Sequence, residues 1–336
     1  MLVARLSPRD GRYLVTGGRD RTLRLWNPWR RVRGAEADEV DDEGDAPCPP
    51  PPLQTFDAHG REVRDAAVSR CHSRVASAGG DRRVILWDVA TGRAIRRFAG
   101  HAHPAGAVCF AGGADGDAEG LVASGGDDRL VHLWDARSRG GGGLAQTLPP
   151  FTDAVLSVAA APRGRPWLAA AAADGVVRLY DARSGTWAED ALGGKPGPRV
   201  RSATCVRWSA DAALLLVALD DGTGLVVDAA SGTVVAQLGR DPGDAGGGER
   251  AEGKWLPDDG NVVVTLPSAG VARAFALDDP DAACIRGGDA TQSLAFGAPV
   301  SALDVRPDGR GLVACGLDGT VKVYVEGIED LPALGG

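Results

Sequence analysis

Histidine, serine and aspartate occur together twice in this chain of 336 residues, as His59, Ser77 and Asp81 and again as His101, Ser124 and Asp128. These are the residue types of a nucleophilic relay. Imidazole can link a carboxylate to a hydroxyl because its two nitrogens donate and accept. Six positions after each aspartate stands a tryptophan, Trp87 or Trp134, whose indole N–H also needs an acceptor. Catalysis is the weaker reading, because both sets sit inside repeated units. A preceding unit keeps Thr16, Asp20 and Trp26 with no histidine. Other chemistry fails sooner. Gly193-Gly-Lys-Pro lacks the remainder of a phosphate-binding loop, and His101-Ala-His103 has no acidic or cysteine partner placed by the repeat. No enzyme, metal or cofactor is expected.

The elements that hold these residues repeat along the chain. A turn, usually carrying Asp, is followed six positions later by a large apolar residue that closes a short strand. The series is Asp20 to Trp26, Asp81 to Trp87, Asp128 to Trp134, Asp174 to Tyr180, Asp221 to Val227, Ala269 to Phe275 and Asp318 to Tyr324. Closing residues lie 61, 47, 46, 47, 48 and 49 positions apart. That period and chemistry resemble WD40 repeats, in which each unit is one four-stranded propeller blade. The expected fold is therefore all-β, a seven-bladed WD40 β-propeller whose seventh blade is either three-stranded, lacking its outer strand, or weakly closed. In the second unit, 63–69, 74–78, 83–88 and 94–98 read as four strands bounded by Gly and Asp turns.

The WD40 resemblance implies a role for the opening residues. Ala58-His59 and Gly100-His101 occupy the Gly-His position before an inner strand. The resemblance joins His59, Ser77, Asp81 and Trp87 in one buried hydrogen-bond chain, and His101, Ser124, Asp128 and Trp134 in another. Blades two and three should then be the most rigid. A narrower resemblance rests on Phe56-Asp-Ala-His-Gly-Arg-Glu-Val-Arg-Asp-Ala-Ala, Gly79-Gly-Asp-Arg-Arg-Val-Ile-Leu-Trp-Asp-Val and Phe98-Ala-Gly-His-Ala. These blocks, with 10–28 and 176–183, are similar to the mitogen-activated protein kinase organizer family, the WD repeat-containing protein 83-like proteins. Similarity is good over 1–110, moderate to about 230 and weak beyond. It implies a non-enzymatic scaffold that gathers kinase-cascade components and associates with spliceosomal proteins. Such a protein would be cytoplasmic and nuclear, and monomeric within larger complexes.

Composition agrees with that class. The 44% hydrophobic fraction suffices for a core, and a net charge of −8 argues against sequence-independent nucleic-acid binding. Cys48, Cys71, Cys109, Cys205, Cys284 and Cys315 never approach Cys-x-x-Cys spacing, which favours a reducing compartment. No apolar run reaches membrane-spanning length. The chain reads as one domain, 1–336, with an acidic and proline-rich insertion at 31–52 expected to be disordered. A Gly-rich loop is expected at 240–253, ahead of a degenerate sixth blade, with tolerated insertions at 112–120 and 140–143.

Two surfaces are candidates for partners. Arg19, Arg21, Arg82 and Arg129 lie in the turns between second and third strands, and Arg61 in an adjoining loop. A basic ring for an acidic peptide follows, with the acidic insertion on the opposite face. The alternative is docking to a cullin-RING ligase adaptor through Asp135-Ala-Arg137 and Asp181-Ala-Arg183, which resemble paired Trp-Asp-x-Arg motifs. The bland reading is that each Asp and Arg pairs on its own blade. Because Met1 falls almost on the first inner strand, the closing strand is expected to belong to sequence upstream of this start.

Overall fold

The third strand of the second unit, Arg83–Asp88, is apolar at four successive positions from Val84 to Trp87, and all four are buried. Such a run requires neighbours on both faces of its sheet. The computed structural model provides them. It describes residues 2–29, 51–111, 120–138, 141–162, 165–182, 187–188, 201–238, 251–256, 262–266, 271–276, 279–283, 294–295 and 300–325. Val84 and Leu86 pack toward the following sheet with Phe98, Val108 and Trp134. Ile85 and Trp87 pack toward the preceding sheet with Leu23, Leu25 and Phe56.

Strands follow chain order in antiparallel sheets. The first sheet comprises Val3–Leu6, Leu14–Gly17, Thr22–Trp26 and Gln54–Asp57. The second comprises Val63–Val68, Arg74–Gly79, Arg83–Asp88 and Ala94–Ala99. Ala105–Phe110, Leu121–Gly126, Val131–Asp135 and Leu144–Thr147 form the third. The fourth is Val155–Ala160, Trp167–Ala172, Val177–Asp181 and Trp187–Ala188. Ala203–Trp208, Leu214–Leu219, Gly224–Asp228 and Val234–Leu238 form the fifth. In the sixth, Gly253–Trp255, Val262–Leu266, Val271–Ala276 and Asp279–Ala283 are joined by Leu294–Ala295 on the third strand.

These six sheets have four or more strands and make a six-bladed propeller by the count of complete blades, which corrects the expectation of seven. The remaining sheet, Val300–Val305, Gly311–Gly316 and Val321–Val325, has three strands among the described residues. It sits between the sixth blade and the first. Counting by the residue that closes a third strand registers a unit whether or not a fourth strand follows, so the period overstated the blades.

Inner strands pack side by side around a central channel, and polar side chains stitch them together. Asp65 accepts the Val108 N–H at 3.0 Å, Ser157 that of Val206 at 3.2 Å, and Glu252 that of Leu303 at 2.9 Å. Asp304 accepts from Leu6 at 2.8 Å, returning the ring to its start. At the same junction the Arg306 guanidinium lies 4.7 Å from the centre of the Trp29 ring, and the indole N–H donates to the Gly11 carbonyl. A Cβ on Gly11 would collide with Arg306, so this close approach needs the glycine.

The expected Gly-rich loop is also corrected at its end. Ala251 and Glu252 are buried, and Gly253 opens a strand. Residues 31–50, 112–119 and 240–250, all subjects of the sequence reading, lie outside the described residues, as does 326–336, and Gly141–Gly143 is a short 3-10 turn.

Candidate functional site

Loops that enter the inner strands and turns between second and third strands emerge on one face, here called the entry face. Turns that leave the inner strands emerge on the other, the exit face. On the entry face of blade two, His59 Nδ1 lies 3.1 Å from both Asp81 oxygens and Nε2 lies 2.7 Å from Ser77 Oγ. The Trp87 indole N–H donates to the same Oγ at 2.8 Å. Blade three repeats this geometry, with His101 Nδ1 at 2.9–3.0 Å from Asp128, Nε2 at 2.8 Å from Ser124, and Trp134 donating to Ser124 at 2.8 Å.

One proton arrangement satisfies every atom. Tryptophan donates to serine, serine donates to Nε2, and Nδ1–H donates to the carboxylate. Backbone N–H groups of Gly60 and Ala102 add to the two carboxylates, tying the entry loop to the turn. Burial disfavours ionised Asp81 and Asp128, yet the histidines and these N–H groups outweigh it and hold both below the usual 3.8. The serine–histidine–aspartate order is that of a nucleophilic relay, but Ser77 and Ser124 are wholly buried and already accept an indole proton. No acyl group can reach either hydroxyl.

Other blades keep part of the device. In blade one the Trp26 indole donates to Thr16 at 2.8 Å, and Asp20 holds Thr22 instead of a histidine. In blade four Thr152 replaces histidine, both its N–H and its hydroxyl donating to Asp174. Asp221 in blade five accepts the Thr223 N–H and pairs with Arg201 at 3.1 Å.

Blade three has a feature the sequence reading missed. His132, two residues before Trp134, is buried with its ring centre 4.4 Å from that of His101. Its Nδ1 pairs with Thr147 at 2.9 Å, while Nε2 has no hydrogen-bond partner among the described residues. His101, Asp128 and His132 could together offer a metal three ligand atoms, but two of the three residues already spend their groups on the hydrogen-bond chain. Burial, and then His101, drives His132 down to about 4, against the pull of Asp128. Its folded value lies below its unfolded value near 6.5, so its stabilising share is full above pH 6.5. That share falls as pH drops toward 4. Thermal melts should show this decline in the native protein and a flatter profile between those limits in His132→Leu.

The candidate arginines are all exposed on the entry face, and three share an unusual backbone. Arg21, Arg82 and Arg129 have φ of 67°, 65° and 68°. The same turn position holds Gly175, Gly222 and Gly319 elsewhere, at φ of 79°, 78° and 92°. A left-handed conformation costs a side-chain-bearing residue about 1–2 kcal/mol, and glycine almost nothing. Blades one to three thus keep arginine where the local backbone favours glycine. Arg21→Gly, Arg82→Gly and Arg129→Gly should each leave thermal stability unchanged or raise it by up to about 1 kcal/mol. A drop of that size would show that the side chains stabilise the fold.

The expected basic ring is corrected to an arc. Arg19, Arg21, Arg61, Arg82 and Arg129 span blades one to three, whereas blades four and five present Asp153, Asp174, Asp220 and Asp221. Within the arc, Asp20 is held by Arg24 at 2.8 Å, and Arg64 reaches Asp127 at 2.8 Å and Glu62 at 3.5 Å. The alternative docking residues lie toward the exit face. Asp135 accepts the Arg137 N–H of its own blade at 2.8 Å, and the Arg137 side chain lies across Gly120. Asp181 ends its strand partly buried, and Arg183 lies outside the described residues.

The channel holds charges that sequence reading did not connect. Arg5 pairs with Asp65 at 3.1 Å and Glu252 at 3.0 Å, all nearly buried, and Lys254 pairs with Asp304 at 2.9 Å. Burial opposes a charged Arg5, but Glu252, Asp65 and Asp304 raise it well above the ordinary arginine value. In sequence Asp65 is simply one position of the 63–69 strand. Nothing local marks its partners, which stand 60 positions before it and, through Arg5, 247 positions beyond Arg5.

Comparison with known proteins places this architecture in a family. A family described as "WD domain, G-beta repeat" matches residues 3–27, 50–88, 92–135, 142–181 and 291–324, more than half of the chain. The chain belongs to the WD40 repeat family. The unmatched stretch between 181 and 291 includes the fifth and sixth sheets, where the histidine chain is absent from the described residues. Among curated proteins this WD40 chain is 32% identical over 94 residues to pre-mRNA-processing factor 17 of Mus musculus, and 31% identical over 94 residues to that of Homo sapiens. Each match covers 28% of this chain and 13% of the relative's length. Among the described residues, no helix is long and apolar enough to cross a membrane.

Proposed function

We propose that this WD40 propeller is a non-enzymatic scaffold that joins spliceosomal proteins during pre-mRNA splicing, gripping an acidic segment of a partner with its arginine arc. The observation that carries the reading is the left-handed backbone at Arg21, Arg82 and Arg129, a local cost borne by side chains on one exposed face. Arginine forks suit carboxylates, and with Asp20 held by Arg24 and Asp127 by Arg64 the arc's remaining arginines can steer an acidic partner and select its orientation. The name of the partial relatives, a pre-mRNA-processing factor, supports the splicing context and a nuclear location. The resemblance of residues 56–102 to the mitogen-activated protein kinase organizer family extends the proposal to kinase-cascade components met in the cytoplasm.

Docking to a ligase adaptor through Asp135, Arg137, Asp181 and Arg183 is the less favoured reading, because Asp135 is engaged by its own blade. Affinity purification of the intact chain from nuclear and cytoplasmic fractions distinguishes these. Recovery of splicing proteins supports the proposal, and added kinases support its extension. Cullin and adaptor peptides without splicing proteins would overturn it.

A further inference from the structure

On the exit face the central channel widens into a cavity of about 320 Å³. Arg70 and Arg165 stand at its mouth on turns that leave the second and fourth inner strands, and Arg207 lies half-buried within. Arg5, Lys254, Asp65 and Asp304 form its floor. Arg5 and Lys254 are neutralised there by Asp65, Glu252 and Asp304. Arg207 is different. Its Nη1 donates to Ser157 Oγ at 3.2 Å and to the Val206 carbonyl at 2.9 Å, and no carboxylate lies within ion-pair distance among the described residues.

Carboxylates on the other exit-face turns are committed locally. Asp10 accepts from Ser7 and the Arg12 N–H, Asp211 from Ser209 and the Ala213 N–H, and Asp308 from the Arg310 N–H. The cavity and its walls therefore hold five cations against three carboxylates, and the cationic excess faces solvent. Its field is felt inside. Lys254 is lowered by burial first, and by Arg207 and Arg5 against the pull of Asp304. The Cys109 thiol in the wall is pushed up to about 12, mainly by burial, so it stays protonated and offers no competing anion.

We propose that this exit-face cavity is a binding site for a phosphate group, with Arg207 as the inner anchor and Arg70 and Arg165 closing over the outer oxygens. A tetrahedral dianion presents several acceptors to guanidinium forks and removes the excess charge, and the cavity is the size of a small-ligand pocket. The site is separate from the arginine arc, which lies on the other face.

Calorimetry of the full chain in a buffer free of phosphate tests it with two probes, inorganic phosphate and a phosphoserine peptide. Both should bind, and Arg207→Gln and the exposed pair Arg70→Gln/Arg165→Gln should each weaken them by about tenfold or more. Arg97→Gln, exposed on the outer strand of blade two and outside both the cavity and the arc, should leave affinity for both probes unchanged. Phosphate binding as tight as the peptide identifies a free anion as the ligand, while a peptide preference lost on removing its phosphate identifies a phosphoprotein. Absence of binding by either probe overturns the site. So does affinity unaltered in Arg70→Gln/Arg165→Gln, the surface variant that cannot fail through misfolding of the channel.

Discussion

Arg5→Met should destabilise the protein by roughly 3–5 kcal/mol in chemical denaturation, the largest effect expected of any single substitution considered. Methionine fills much of the same volume but leaves Asp65 and Glu252 facing each other in the channel with no cation between them. The loss would be one of compensation, not of attraction. Both carboxylates also accept backbone N–H groups, from Val108 and Leu303, so their amides could keep those bonds without charge. Arg5→Met/Asp65→Asn/Glu252→Gln should therefore recover most of the stability lost by Arg5→Met. A single-variant loss under about 1 kcal/mol, or no recovery in the triple variant, would remove the cluster from the forces that hold the ring.

Asp81→Ala comes next, at roughly 1–3 kcal/mol. It strands the Nδ1–H of an imidazole whose side chain is fully buried and releases the Gly60 and Arg83 N–H groups from the carboxylate. Asp221→Ala should cost less, because its partners are the Thr223 N–H and the more exposed Arg201. Thermal melts of the two variants give the comparison, and equal losses would contradict the special standing of blade two. Acid gives an independent check. Asp81 and Asp128 have folded values below 3.8, so their contribution is complete above about pH 4 and is lost as pH falls through the lowered values. Asp81→Ala should accordingly lose less than the native protein on acidification below pH 4.

Much of this was legible in one sequence because the decisive contacts are local or periodic. Asp81 and Trp87 flank one hairpin, and Val84 to Trp87 advertise a strand buried on both faces. His59 and Ser77 lie on adjacent elements of the same unit, so the repeat carried them together. What stayed hidden depends on how separate units meet. Arg5 and Glu252 touch only once the ring has closed, and no spacing rule links them. His132 looked like an ordinary third-strand residue until its ring was placed against His101. The number of complete blades was misread for a related reason. The closing aromatic belongs to a third strand, whereas completeness depends on a fourth whose sequence is weakly marked. The strain at Arg21, Arg82 and Arg129 was also invisible, since the residues were seen as charges and not as occupants of a position that glycine fills in other blades.

The most direct test of the binding account uses an aspartate- and glutamate-rich probe peptide carrying a fluorophore. Its anisotropy is followed with the native protein and with Arg21→Gly/Arg82→Gly/Arg129→Gly at low and high salt. The account predicts binding by the native protein that weakens steadily with salt, and at least a tenfold loss in the triple variant with no fall in melting temperature. Equal binding by the two proteins, or binding indifferent to salt, would contradict it.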